Sequence, residues 1–518
     1  MGYYVNPGVR KFQLSLNSEI YVDKSNLITK TNALLDTRQR FICISRPRRF
    51  GKTMAAEMLA AYYGSGEDAH PLFEHLSIAK HSSYNQHLNH YNVLMINMQE
   101  FLSRSKTVAE MLTLLQSKII QELKKDDAND DFIGTMKSVY QETKRPFVIL
   151  IDEWDCLFRE YKNDIESQKE YLDFLRLWLK DQVYVGLAYM TGILPIKKYG
   201  THSALNMFSE YSMIDPSQFL DFFGFKADEV EKLAMEYSVD FDEIKNWYNG
   251  YFVDLELPLY NPTSVTECLL RKRFSNYWNK TETYEALKDY IMLDFDGLKD
   301  KITLMLTGAN IGINAERFTN DMTTFSNADD VLTLLIHLGY LAYNIDDETV
   351  RIPNEEVRRE FVNAIESLKW NNVVDALHNS NKLLKAIWNF EGDVVAKGIE
   401  EVHEQNTSIL KYNDENSLSC VLSLAFYSAR DYYTIIRELP SGKGYADLVF
   451  IPRKKHQDMP AMVIELKWDQ TAVGAIAQIK AKNYSAVLEA YQGNLLLVGI
   501  NYDKESKTHE CIIEPFQL

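Results

Sequence analysis

The chain has 518 residues, 46% of them hydrophobic and 25% charged, a balance that excludes a mainly disordered polymer, and at about 100–200 residues per domain it is too long for a single core. The 56 Lys+Arg against 73 Asp+Glu leave a net charge of −17, which argues against indiscriminate adhesion to nucleic acid or anionic membrane; any nucleic-acid contact must be a local basic patch. Cys43, Cys156, Cys268, Cys420 and Cys511 form no C-x-x-C pair and have no histidine at zinc spacing, so neither a disulfide framework nor a structural metal is indicated and a reducing cytoplasm is expected.

Met1 to Ile20 lacks an apolar signal core, and no run approaches the roughly 18 apolar residues that span a bilayer, so no membrane partner is expected. From Tyr21 to Met213 short apolar runs alternate with amphipathic helices. The runs Phe41–Ser45, Val93–Asn97, Phe147–Ile151 and Tyr184–Met190 are predicted strands of a mostly parallel sheet with helices on both faces. A ligand of such a sheet sits at the carboxyl ends of its strands.

The first strand runs into Arg46-Pro47-Arg48-Arg49-Phe50-Gly51-Lys52-Thr53, followed by a predicted helix over Met54–Tyr63. A turn ending in Gly-Lys-Thr at a helix start is the setting in which backbone N–H groups and a lysine hold nucleotide phosphates while a hydroxyl reaches Mg²⁺. The usual first glycine, six positions before the lysine, is here Arg46. Of Arg46, Arg48 and Arg49, at least two are expected in solvent, with phosphates or acidic neighbours as the alternatives. The third strand ends in Asp152-Glu153, where one carboxylate can orient the Mg²⁺ shell and its neighbour can activate water. Lys52, Gly51, Arg48 and Arg49 are thus candidates for phosphate contact, Thr53 and Asp152 for Mg²⁺, and Glu153 for general base, with ATP or GTP as ligand. Thr191-Gly192 ends the fourth strand, either sensing the γ-phosphate or merely turning the chain. No arginine finger is evident; Lys197-Lys198 after the fourth strand reads as a solvated pair, with a substitute for that arginine in cis as the alternative.

The stretch from Pro216 to Val374 is helix-rich, punctuated by Trp247-Tyr248-Asn249-Gly250-Tyr251 and Tyr260-Asn261-Pro262. A predicted helix over Val331–Tyr340, strand Leu341–Asn344, turn Asp346-Asp347 and strand Thr349–Ile352 outline a winged helix, though other helical folds produce the same outline.

After the polar stretch Asn406 to Asn416, the pattern predicts a helix (Ser417–Arg430), strands Tyr433–Arg437, Ala446–Ile451 and Met462–Leu466, a helix (Ala472–Tyr491), and strands Asn494–Val498 and Glu510–Ile513. Asp447 opens one strand and Glu465-Leu466-Lys467 lies on the next, so Glu465 and Lys467 share a face. Two carboxylates meeting across a hairpin can bind Mg²⁺ through oxygen, and a nearby lysine can stabilise developing charge. The competing reading is a solvated strand face. The aromatic residues are explained by core packing, and His202 and His403 by core or surface roles.

With Tyr21-Val22-Asp23-Lys24-Ser25, Ile151-Asp152-Glu153-Trp154-Asp155 and Thr191-Gly192-Ile193-Leu194 beside the motifs above, nearly the whole chain resembles the bacterial AAA-ATPase-like family, whose members carry R-P-R-R-F-G-K-T in place of the usual first glycine. Trp154 replaces a more usual tyrosine. In that family a PD-(D/E)XK nuclease superfamily domain commonly follows, and the stretches Glu438 to Asp447, Ile464 to Lys467 and Gln478 to Tyr484 resemble its core. The resemblance implies Asp447 and Glu465 as metal ligands, Lys467 as the catalytic lysine and Gln478 as a supporting residue. It leaves Glu415 in doubt, because Ser417-Leu418-Ser419 lacks the aromatic-histidine pair often found there, and Tyr445 stands where an arginine is common.

The expected fold is α/β: a P-loop parallel-sheet domain over 1–215, a helical region with a winged helix over 216–374, and a mixed-sheet nuclease-like domain over 375–518. The expected function is ATP binding and hydrolysis coupled to Mg²⁺-dependent phosphodiester cleavage, with nucleic acid as partner, DNA ahead of RNA. The alternative is an ATP-controlled switch whose last domain binds nucleic acid or protein without cutting. Oligomeric state is not legible.

Overall fold

The computed structural model describes residues 2–123, 131–196, 205–251, 258–278, 283–293, 295–318, 325–405, 415–441, 444–481, 488, 491 and 493–516. They fall into two compact units, Met1–Glu282 with Gly312–Arg358, and Thr283–Ile311 with Arg359–Leu518.

In the first unit, β1 (Phe41–Ser45), β2 (Asn92–Asn97), β3 (Phe147–Asp152), β4 (Val185–Gly192) and β5 (Ser209–Tyr211) form a sheet in the order β2-β3-β4-β1-β5. Every pairing is parallel. The first four strands are buried almost throughout, which is why they read as continuous apolar runs rather than as alternating ones. The fifth was not expected: Ser-Glu-Tyr is too short and polar to signal a strand, and it is half-buried beside β1. The register sets Ser45 beside Gly192 and Asn97 beside Asp152, so the chemically marked residues end their strands together.

The helix Lys52–Tyr63, rich in Ala, Leu and Met, packs on β2, β3 and β4. Further along, helices Ala227–Tyr237, Phe241–Tyr248 and Pro262–Arg271 enclose a core of Val230, Ile244, Trp247, Tyr248, Val265 and Leu269. The Asn261 side chain caps the third of these, with Pro262 in its first turn. Gly250 has φ +97°, and a Cβ there would lie 2.4 Å from the Pro353 carbonyl oxygen, which accounts for the glycine in the Trp-Tyr-Asn-Gly-Tyr motif. The expected helix and hairpin are present as Ala328–Leu338 and the antiparallel strands Ala342–Asn344 and Thr349–Arg351.

In the second unit, β6 (Tyr433–Ser441), β7 (Gly444–Pro452), β8 (Ala461–Trp468), β9 (Leu495–Asp503) and β10 (Thr508–Pro515) form one mixed sheet in sequence order. Only β8 and β9 run parallel, joined through the helix Ala472–Ala481, which packs on both. That helix was expected to reach Tyr491; residues 482–487 lie outside the described ones. Val449, Val463, Ile476, Ile479 and Leu497 form the core under it. All five cysteines are free. Among the described residues no helix is long and apolar enough to cross a membrane.

Candidate functional site

Beyond β1 the chain forms a tight arch. The Arg46 amide donates to the Gly192 carbonyl (3.0 Å), and Lys52, only 5% exposed, donates from Nζ to the carbonyls of Arg46 (2.9 Å) and Pro47 (2.8 Å). Arg49 (φ +69°) and Gly51 (φ +89°) are left-handed. A Cβ on Gly51 would meet nothing within 4 Å, so its backbone conformation alone calls for glycine. The arch opens onto a cavity of ≈ 1020 Å³ lined by Arg48, Arg49, Gly51, Lys52 and Thr53 on one side and by Ile20, Tyr21, Phe225 and Pro262 elsewhere. A twelve-residue helix starts there and offers its unpaired N–H groups. Burial pushes the Lys52 ammonium pKa down, against the pull of Glu153, Asp152 and Asp155. The residues present therefore fit a polyphosphate: a lysine, a helix N-terminus and a left-handed glycine in the turn just before them.

None of Arg46, Arg48 and Arg49 is fully exposed, against the expectation of solvent for at least two of them, and Arg46 departs furthest. It is buried, donating to the carbonyls of Ser45 (2.8 Å) and Tyr211 (2.9 Å) and stacking over Phe223, and desolvation lowers its pKa to about 10. Where the usual loop has a glycine, a guanidinium ties the arch to β5. Arg48 and Arg49 are half-buried, and Arg49 donates to the Tyr277 carbonyl.

Asp152, 1% exposed, accepts from both flanking hydroxyls: Thr53 Oγ1 to Oδ2 (2.7 Å) and Thr191 Oγ1 to Oδ1 (2.5 Å). Thr191 is thus wired to the β3 carboxylate. Glu153 leaves the strand at φ +55°; burial raises its carboxyl pKa and Arg159 opposes the rise. Arg159 pairs with Glu153 and, through Nε, lies 3.3 Å from Asp155 Oδ2. The same Asp155 oxygen accepts from the amides of Ile193 (3.0 Å) and Leu194 (2.9 Å), fastening the end of β4 to this turn. The Thr53 and Asp152 oxygens suit a hard cation such as Mg²⁺. Among the described residues no three or more His, Cys, Asp or Glu side chains converge as for a metal ion, so phosphate oxygens and water would complete the shell, as Mg²⁺ commonly requires.

In the second unit, the antiparallel pair Leu448↔Ile464 sets Asp447 opposite Glu465 one step further on. The two carboxylates therefore share a face. The Leu466 amide donates to Asp447 Oδ2 (2.6 Å). Glu465, 1% exposed, has Oε1 3.5 Å from Lys467 Nζ, and the Gln478 amide donates to the same oxygen. Asp447, Glu465, Lys467 and Gln478 are thus gathered between a hairpin and the helix Ala472–Ala481, and the two carboxylates fit a hard cation.

The side chains of Glu415 and Tyr445, and the residues Lys197, Lys198, His202, Lys443, Lys482 and Tyr484, lie outside the described residues. Sequence reasoning missed Arg159, whose spacing four residues after Asp155 on a helical segment was a readable signal for an ion pair. It also missed Glu356, a buried carboxylate bonded to Ser264 and to the amides of Tyr277 and Trp278, which carries no local signature.

Residues 7–201 match the family model described as predicted AAA-ATPase (AAA-ATPase-like), and residues 413–511 match the PD-(D/E)XK nuclease superfamily. An uncharacterized protein in the vnfD 5′ region of Azotobacter chroococcum mcd 1 is 27% identical over 282 residues, 52% of each chain. The chain spans about half the length of that curated relative. Among solved structures, the ORC2 protein of Aeropyrum pernix in its ADPNP–ADP complexes aligns over 68% of this chain and 97% of its own, at 10% identity and a TM-score of 0.30, too slight a likeness to bear on the fold.

Proposed function

We propose that this chain, in which an AAA-ATPase-like segment at 7–201 is joined to a PD-(D/E)XK nuclease superfamily segment at 413–511, is a cytoplasmic ATPase that controls phosphodiester cleavage of nucleic acid, DNA ahead of RNA. In the first segment Lys52 and the backbone N–H groups around Gly51 and Thr53 hold the phosphates, helped by Arg48 and Arg49. Thr53 and Asp152 would hold Mg²⁺, and Glu153 takes the proton of the attacking water. In the second, Asp447 and Glu465 would hold Mg²⁺, Lys467 positions the attacking water and offsets developing charge, and Gln478 orients Glu465. The cation, when bound, supplies charge neutralisation at the phosphates and a lowered water pKa. Functionally the chain divides at about 215 and 374, with a winged helix in the middle region built on Ala328–Leu338 and the hairpin behind it.

The observation that carries this reading is the assembly of Asp447, Glu465, Lys467 and Gln478 at one place on the second sheet. The test is a cleavage screen of single- and double-stranded DNA and RNA, with and without ATP and Mg²⁺, on wild type, Lys52→Ala, Asp447→Ala and Glu465→Ala. Lys52→Ala should lose ATP binding by about 10- to 100-fold, the range of a charge-assisted hydrogen bond. Both carboxylate variants should abolish cleavage while staying folded; cutting that persists unchanged in them rejects the site. A second reading, an ATP-controlled switch that binds without cutting, is favoured by one observation: the Glu465 oxygen already carries both Lys467 and Gln478. Nicking of any substrate with Mg²⁺ or Mn²⁺ would exclude it.

A further inference from the structure

Arg159 is a partly buried cation flanked by two carboxylates in the lining of the Lys52 cavity. Its side chain is 12% exposed, and it lines that cavity together with Gly51, Lys52, Thr53 and Glu153. The two partners differ in burial and anchorage. Asp155 is fully buried and anchored by the amides of Ile193 and Leu194, whereas Glu153 is 23% exposed. A guanidinium so placed can keep its ion pair with the anchored Asp155 and exchange its other contact. Its planar fork suits phosphate oxygens better than a lysine does.

We propose that Arg159 is an arginine supplied in cis to the γ-phosphate, parked on Glu153 when no triphosphate is present and transferred to the γ-phosphate oxygens when one binds. The transfer does two things at once. It frees the Glu153 oxygen for the attacking water, and it brings positive charge to the phosphoryl group as the bond to the β-phosphate oxygen breaks. Water supplies the oxygen of the released phosphate, Glu153 takes its proton, and ADP leaves with the bridging oxygen. Arginines in this role are worth about 10³- to 10⁵-fold in kcat. The inference rests on the ATPase reading above.

The experiment measures binding of a non-hydrolysable ATP analogue and of ADP by calorimetry, with steady-state ATPase kinetics, on wild type, Arg159→Ala, Arg159→Lys and Glu153→Gln. Arg159→Ala should weaken the analogue by about 10- to 100-fold and leave ADP within about threefold, with kcat falling by about 10³; Arg159→Lys should recover part of both losses. Glu153→Gln, which discharges the parking place, should tighten the analogue several-fold without moving ADP. Equal weakening of analogue and ADP in Arg159→Ala would make Arg159 a structural residue and overturn the proposal. So would an unaltered analogue affinity in Glu153→Gln, which also decides the matter if Arg159→Ala fails to fold. Wild type binding neither nucleotide would overturn the ATPase reading and this proposal together; wild type binding both, with no discrimination lost in the variants, would overturn this proposal alone.

Discussion

Glu356 offers a test of the first unit that needs no ligand. It lies on the helix Glu355–Ser367 and is fully buried. Its Oε1 accepts from Ser264 Oγ (3.0 Å) and from the amides of Tyr277 (2.7 Å) and Trp278 (3.0 Å), while Oε2 has no hydrogen-bond partner among the described residues. Burial pushes the carboxyl from 4.5 up to about 7, against the pull of those three donors and of Arg49. Between these two values the folded chain keeps a proton on Glu356 that the unfolded chain releases, so this residue's contribution to stability is fully present below pH 4.5 and is lost as pH rises through about 7. The full drop is about 2.5 pH units at 1.36 kcal/mol each, roughly 3 kcal/mol. Glu356→Gln keeps the shape and the Oε1 acceptor but cannot ionise. It should match wild type near pH 5 and be more stable by up to about 3 kcal/mol at pH 8. Urea denaturation from pH 5 to 8 gives the difference, and hydrogen exchange at the Tyr277 and Trp278 amides localises it. Parallel stability curves for the two proteins across that range would refute the reasoning.

Two further outcomes are expected. In Gly192→Ala the new Cβ would lie 2.7 Å from both Asp155 Oδ1 and the Trp154 ring; overpacking there should cost about 1–3 kcal/mol, seen as a lower melting temperature, and an unchanged melting temperature would count against the Asp155 anchorage. His403 and His509 have ring centroids 5.3 Å apart, and burial lowers their pKa values to about 4 and about 3, with His403 adding to the effect on His509. Both are neutral in the fold but take protons when unfolded below pH 6.5, so stability is present above 6.5 and is lost as pH falls beneath it. His509→Phe should flatten the acid limb by about 1.4 kcal/mol per pH unit between 6 and 4, measured as urea midpoints; equal acid sensitivity in both proteins would dismiss the pair as its cause.

What the sequence made legible was whatever a strand places by itself. Four parallel strands were found because burial on both faces leaves an uninterrupted apolar run, and their ends then located Gly51-Lys52-Thr53, Asp152 and Thr191 without knowledge of any long-range contact. In the second sheet a two-residue period sufficed for Glu465 and Lys467, and the antiparallel register brought Asp447 opposite. The edge strand Ser209–Tyr211 escaped because an edge needs little apolar character.

Side chains whose meaning depends on a partner were harder. Arg46 reads as a surface cation until the carbonyl of Tyr211, 165 positions away, is known to receive it. Glu356 reads as one more acid in an amphipathic helix until Ser264, 92 positions earlier, and the Tyr277 and Trp278 amides enclose it. The reason is energetic: burying a charge costs several kcal/mol unless partners are in place, so a lone charged residue is assigned to solvent by default, and only the fold supplies the partners that reverse it. Arg159 stands between these cases. Its i,i+4 relation to Asp155 is local and readable, whereas its contact with Glu153 depends on the left-handed turn that ends β3. The residue that sequence could half see is therefore the one in which a strand end, a helix turn and a buried ion pair meet.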